Sequence, residues 1–304
     1  MESAQSTNNL TRYAWLSILA AILTIGLKLG AYWLTNSVGL LSDALESFVN
    51  LATAIVALIA LSIAARPADE EFTFGYSKVE FFSSGFEGGM ILIAAGAIAA
   101  TAIPRLINPQ PLEQVGLGLV ISVVASLINL GVSRILARAG RRYGSITLEA
   151  DAAHLMTDVW TTAGVIAGVA LVGITGWARL DSLVALAVAA NILVTGFRLL
   201  RRSARGLMDA TLPPADLEAI QSILNPYEAE GMTFHAVRTR TAAARGIVSM
   251  HVLVPGDMSV RNAHEVAERI EAEIRERLPQ VAVFTHVEPL EDPISWQDEL
   301  IEWE

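Results

Sequence analysis

Six stretches of this 304-residue chain are almost wholly apolar: about Ala14–Leu34, Val38–Ala65, Phe82–Ile103, Val115–Ala137, Ile146–Gly173 and Leu180–Leu200. A helix needs roughly 20 such residues to cross the hydrocarbon of a bilayer. Unpaired backbone groups are too costly there for most alternatives. The expected class is therefore an α-helical membrane protein with six transmembrane helices. The breaks between stretches carry turn chemistry, such as "PRLINPQPLEQ" with three prolines and "GITGWARLD" with two glycines. Composition agrees: 53% of residues are hydrophobic and only 17% charged, against a usual quarter or so.

Basic residues in short loops set orientation. Arg12, Arg66, Lys78, Arg134, Arg138, Arg141, Arg142, Arg198, Arg201, Arg202 and Arg205 fall on one side of the six spans, and only Arg105 and Arg179 on the other. This predicts a multi-pass protein of the cell inner (plasma) membrane with both termini cytosolic. The polar N-terminus lacks a basic region followed by a cleavage site, so no cleaved signal peptide is expected.

After residue 206 the composition changes. The first 206 residues hold 14 basic and 13 acidic side chains; the rest hold 7 and 18, so the chain's net charge of −10 originates in this part. Such acidity argues against nucleic acid as a partner. "TFHAVRTR", "GIVSMHVLV" and "VAVFTHVEP" alternate like strands. Asp216–Leu224 and "SVRNAHEVAERIEAEIRERL" have helical periodicity, the second with Ser259 as N-cap. The order helix, strand, strand, helix, strand predicts a small α+β domain with helices on one face of an open sheet. The expected division is a transport domain over 1–206, a cytosolic domain over 207–290 and an acidic C-terminal tail over 291–304.

Two apolar segments carry the same polar pattern. "SDALESFVN" places Asp43, Glu46 and Asn50 at i, i+3 and i+7, and "ADAAHLMTD" places Asp151, His154 and Asp158 likewise. Residues so spaced share a helix face. An acid at mid-bilayer costs about 2.5–3.5 kcal/mol, and such groups usually mark an ion path. If the stripes face each other, Glu46, Asn50, His154 and Asp158 converge. One imidazole with carboxylate and amide oxygens suits a divalent transition metal. The competing account is interhelical hydrogen bonding, and recurrence of a mixed acid–imidazole pattern weighs against it. Asp43 and Asp151, a turn earlier, are expected to support the site. Lys28 reads as a lysine snorkelling to the interface.

Only five histidines occur: His154 in the stripe, and His235, His251, His264 and His286 in the acidic domain. His286 and Glu288 share a strand face, a reasonable metal-ligand pair. There is no cysteine, which excludes disulfides and thiolate metal sites.

The segments "NSVGLLSDALESFVN", "FGYSKVEFFSSG", "DAAHLMTDVW", "LMDATLP" and "HAVRTR…GIVSMHVLVP…AHEVAERIEAEI…HVEP" resemble, in order and over nearly the whole chain, the cation diffusion facilitator family. The resemblance implies a homodimeric exporter of divalent metal in exchange for protons, with six spans and a cytosolic ferredoxin-like domain. It implies a transport site of Glu46, Asn50, His154 and Asp158, and cytosolic metal-site positions at His235, His251, His264, His286 and Glu288. Two departures matter. The family usually has His or Asp, then Asp, where this chain has Glu46 and Asn50; zinc stays the first expectation, and manganese, iron(II) and cobalt gain ground, since oxygen-rich sites suit harder cations. Many members also carry two histidines in a loop that here reads "FTFGYSK", so that loop site is expected to be absent or weak. Lys78 and Asp209 are expected at the cytosolic membrane face, paired across subunits.

The expected mechanism is alternating access, with His154 as proton exchanger, because an imidazole ordinarily titrates near neutrality. A membrane metalloenzyme is a rival, but neither "H-E-x-x-H" nor "G-x-S-x-G" occurs. A membrane-anchored metal sensor without transport is the other.

Overall fold

The computed structural model describes residues 10–35, 38–109 and 117–297; side chains at 34, 35, 38–43 and 117 lie outside the described set. The chain divides into two compact units, Met1–Ala204 and Arg205–Glu304.

In the first unit, α1 (Thr11–Thr35), α2 (Val38–Ala64), α3 (Val79–Ile107), α4 (Leu117–Tyr143), α5 (Ile146–Thr175) and α6 (Arg179–Leu207) follow one another. All six are long and apolar enough to cross a membrane. Several run past the apolar stretches. α4, for instance, continues through Arg141 and Arg142, because arginine forms helix readily and loses nothing by reaching water. The outer faces are apolar: Trp33, Ile174 and Phe197 are largely exposed, which fits a lipid-facing surface. Small residues allow close helix contact. A Cβ on Gly88 of α3 would meet the Leu200 backbone nitrogen of α6 at 3.2 Å.

The loop between α2 and α3 turns on Asp69. Its Oδ1 accepts the backbone N–H of Glu71 at 3.1 Å and of Phe72 at 2.8 Å, and its Oδ2 accepts the Tyr76 hydroxyl at 2.5 Å. The Phe72 and Tyr76 rings pack at 4.7 Å. The hydroxyl and amide donors hold the Asp69 carboxyl below its ordinary range, and the carboxylate pushes the Tyr76 phenol up. The loop's leading acid is thus used in folding the loop.

The second unit contains α7 (Pro214–Ala229), β1 (Thr233–Ala242), β2 (Arg245–Val254), α8 (Val260–Arg277) and β3 (Val281–Pro289). The sheet order is β1-β2-β3, with β1/β2 antiparallel and β2/β3 parallel. This is the ferredoxin-like βαββαβ arrangement without its first strand. Ser259 caps α8, accepting the Asn262 N–H at 3.2 Å. Ile220 and Leu224 of α7 and Ile270 and Ile274 of α8 bury against Val248, Met250 and Val252. Alternation on β2 puts Ser249, His251 and Leu253 on the opposite face.

The chain beyond β3 is more ordered than an acidic tail suggests. Residues 293–296 form a short 3-10 turn capped by Asp292. The rest of the tail, from 298, lies outside the described residues.

Candidate metal centres

Helix α5 carries the second polar stripe, and its placement starts at its first turn. Ser145 is the N-cap. Glu80 of α3, buried, accepts from the Ser145 hydroxyl at 2.5 Å and the Thr147 backbone N–H at 3.3 Å. A carboxylate satisfies the free donors there and complements the helix dipole. Further along, Ser17 of α1 donates to Asp151 Oδ1 at 3.0 Å, and Ser133 of α4 donates to the Ala152 carbonyl at 2.7 Å. On the outer side of the helix Glu149 pairs with Arg202 of α6. Hydrogen bonds to α1, α3, α4 and α6 therefore fix the height and rotation of α5.

One turn past Asp151, the two stripes meet. His154 Nε2 lies 2.8 Å from Asn50 Oδ1, and Asn50 Nδ2 donates to Asp158 Oδ2 at 2.5 Å. The amide's orientation follows from its neighbours, since a carboxylate oxygen accepts and only Nδ2 donates. Oδ1 then faces His154, and because that oxygen only accepts, Nε2 carries the proton in this arrangement. Asn50 and His154 are 3% and 5% exposed; Asp158 is half-buried. Glu46, Asn50, His154 and Asp158 line one cavity of about 500 Å³, which extends to Arg105 at the end of α3 and to Asp181 and Ser182 at the start of α6.

The four expected residues are thus brought together. Asp151 stands behind them, held by Ser17 rather than facing the cavity. The side chain of Asp43 lies outside the described residues. Lys28, read as snorkelling, is instead buried and has an interaction partner. The stripe argument does not reach Asn129 of α4, which donates to Asp158 Oδ2 at 2.9 Å. A lone amide inside the apolar run "SLINLG" was its only signal.

The second cluster lies on the sheet face away from α7 and α8. Register aligns His235 with His251 and His251 with His286 across the three strands. Two residues beyond His286, Glu288 turns to the same face. Its Oε2 lies 3.2 Å from His235 Nε2 and 3.0 Å from His251 Nδ1, and its Oε1 3.4 Å from His286 Nε2. One donor atom each from His235, His251 and Glu288 falls within 4.8 Å of the others. Two imidazoles and a carboxylate fit zinc or a neighbouring first-row ion. His286 is at the exposed margin of this group. His264 is exposed on α8 and outside the group. Asp209, expected opposite Lys78, forms an ion pair with Arg240 at 3.6 Å.

The model described as the cation efflux transmembrane domain matches residues 14–208, and that of the cation efflux protein cytoplasmic domain matches residues 212–290. The chain is 55% identical over 285 residues to an uncharacterized transporter, sll1263, of a Synechocystis species, covering 94% of this chain and 92% of that protein. It is 28% identical over 273 residues to the cation-efflux pump FieF of Klebsiella pneumoniae, covering 90% of each. Among solved structures, the metal-bound C-terminal domain of the CzcD transporter from Thermotoga maritima is 29% identical, with a TM-score of 0.25, covering 27% of this chain and 99% of that one.

Proposed function

Because the chain belongs to the cation diffusion facilitator family of cation efflux transporters, we propose that it exports a divalent transition metal, zinc before manganese, iron(II) or cobalt, from the cytosol in exchange for protons. The family is one of transporters, so the chain is not an enzyme and the metalloenzyme reading falls. The observation that carries the proposal is the His154–Asn50–Asp158 chain of hydrogen bonds at the wall of an intramembrane cavity.

In this arrangement the ligands bind one another. Asn50 occupies His154 Nε2 with its oxygen and Asp158 with its nitrogen. A metal taking His154 and Asp158 as ligands has to part both hydrogen bonds, and Nε2 has to give up its proton. Metal binding in general requires deprotonated ligands and releases protons: a His154 carrying protons on both ring nitrogens loses the one on Nε2 when metal loads, and return of that proton to Nε2 closes the clasp again. Glu46 on the cavity wall supplies a further oxygen. Asn50, once released, can turn its oxygen to the same ion. The cavity reaches Arg105 and Asp181, the ends that the Lys/Arg distribution assigns away from the cytosol. That direction supports an outward-facing, proton-loaded state within an alternating-access cycle. The working unit is a homodimer in the inner (plasma) membrane, with both termini cytosolic.

The His235, His251 and Glu288 cluster, with His286 beside it, binds the same class of ion on the cytosolic side and reports its concentration, while His264, on α8 across the sheet, stands apart from it. The test is proton-coupled uptake into sealed vesicles, comparing zinc, manganese, iron(II), cobalt and cadmium, wild type beside Asp158→Ala. Uptake that vanishes in the variant supports export and names the cargo. Folded protein that moves none of these ions refutes it and leaves the sensor without transport.

A further inference from the structure

His235 sits on the sheet face opposite α7 and α8, yet it is only 8% exposed. Its cover is the segment that follows β3. The Trp296 ring lies over the His235 ring with centroids 5.7 Å apart and planes inclined by 33°. The indole is itself held in place, because Trp296 Nε1 donates to the Leu290 carbonyl at 3.1 Å. The turn beneath it is tied down at four more points. Ser295 Oγ donates to the Pro289 carbonyl at 2.9 Å, and the Ile294 N–H donates to Asp292 Oδ1 at 2.9 Å. The Leu290 N–H donates to the Val254 carbonyl at 2.8 Å, and the Gly256 N–H donates to Glu291 Oε2 at 2.8 Å. The strap is thus anchored to the ends of both β2 and β3.

A ligating histidine ordinarily donates its second ring nitrogen to an oxygen, and that bond sets the direction of the first. His235 lacks this device: Nδ1 is buried with no hydrogen-bond partner among the described residues. Its orientation has to come from packing. On one side the ring edge meets His251, with centroids 5.0 Å apart and planes at 90°; on the other its face meets the indole. Together they leave Nε2 as the nitrogen directed at Glu288.

We propose that Trp296 is a positioning residue of the cytosolic metal site, its indole doing for His235 what a hydrogen bond to Nδ1 does elsewhere. The inference rests on the reading of His235, His251 and Glu288 as a metal site. Aromatic pairs prefer such offset arrangements, and fixing the ring before metal arrives removes an ordering cost from binding. Loss of the partner that orients a ligand typically costs about 10–100-fold in metal affinity, and that is the effect expected here. Because the indole lies against a ligand ring, metal binding also alters its emission.

The experiment uses the full chain in detergent, carrying His154→Ala and Asp158→Ala to silence the intramembrane site. Zinc affinity is read by competition with a chelating dye, and tryptophan emission is followed in parallel. Trp296→Ala is expected to weaken zinc binding about 10–100-fold, while Trp296→Phe, which can still stack, restores most of it. The zinc-dependent emission change is expected to disappear in Trp296→Phe. On a His235→Ala background, Trp296→Ala is expected to have little further effect. Wild-type affinity in Trp296→Ala, or an equal loss in both Trp296 variants, overturns the positioning role while leaving the metal site standing. Failure of the parent to bind zinc, or zinc binding unchanged by His235→Ala, removes the site itself and the inference with it.

Discussion

Asn129→Val separates the transport chemistry from the packing around it. Asn129 is 3% exposed, donates to Asp158 Oδ2 at 2.9 Å, and its own Oδ1 has no partner among the described residues. Two energies of opposite sign follow from the change. Losing an interhelical hydrogen bond within a bilayer costs on average about 0.6 and at most about 1.7 kcal/mol. Removing a buried, unpaired oxygen returns about 1–3 kcal/mol. Valine is apolar and close in size, so the net change in stability is expected to lie between a loss of about 1 kcal/mol and a gain of about 2 kcal/mol. The site is affected differently. Asp158 keeps Asn50 but loses the amide from α4 that fixes its carboxylate, and loss of such a partner weakens metal binding about 10–100-fold. The assay pairs denaturant unfolding in detergent with metal uptake in proteoliposomes across a concentration series. The expected result is unfolding close to or somewhat later than wild type, with a raised KM. Uptake at the wild-type KM, or destabilisation beyond about 3 kcal/mol, refutes the reasoning.

His154→Ala is expected to lower uptake more than about 100-fold, while the variant still inserts and dimerises on gel filtration; loss of insertion points instead to polar residues acting as helix glue. Glu80→Ala strips the start of α5 of a carboxylate that accepts two hydrogen bonds; the expected loss is about 2 kcal/mol by denaturant unfolding, with Glu80→Gln recovering part of it. Asp69 has a depressed pKa in the folded loop. Its contribution is therefore fully present above the unfolded value near 3.9 and fades only as pH falls through the lower folded value. Tyr76→Phe deletes the largest cause of that depression, so a carboxyl titration by NMR is expected to show the Asp69 midpoint rising; an unchanged midpoint counts against the Tyr76 bond.

The membrane helices and the convergence of the two stripes were legible because both depend on spacing along one chain. Period 3.6 places Asn50 below Glu46 and Asp158 below His154, and the cost of acids in hydrocarbon supplies the reason for them to meet. What spacing does not carry is the pairing between elements. Asn129 stands alone in its helix and gains a role only because α4 packs beside α5. His235, His251 and His286 form one row only because β1 runs antiparallel and β3 parallel to β2. Trp296, in a segment that reads as an acidic C-terminal tail, reaches His235 only because hydrogen bonds near Pro289 and Leu290 turn the chain back.

Asn50 shows how a departure from a family's pattern gains meaning from geometry. As a sequence feature it is a lost carboxylate, and it raises the question whether the site still binds zinc. In place, it stands between an imidazole nitrogen at 2.8 Å and a carboxylate oxygen at 2.5 Å. An aspartate there sets carboxylate against carboxylate, a repulsion of about 4 kcal/mol for unit charges 4 Å apart at an effective dielectric of 20. An alanine there removes the oxygen facing His154 Nε2 and leaves Asp158 with one amide donor fewer, Asn129 remaining. An amide accepts from one and donates to the other without adding charge, so the metal-free site is closed on itself. In the proposed transport site the same neutrality makes Asn50 a weaker ligand than an aspartate. Under the proposed transport reading, a clasp stable without cargo and a weaker hold on cargo both favour release of the ion.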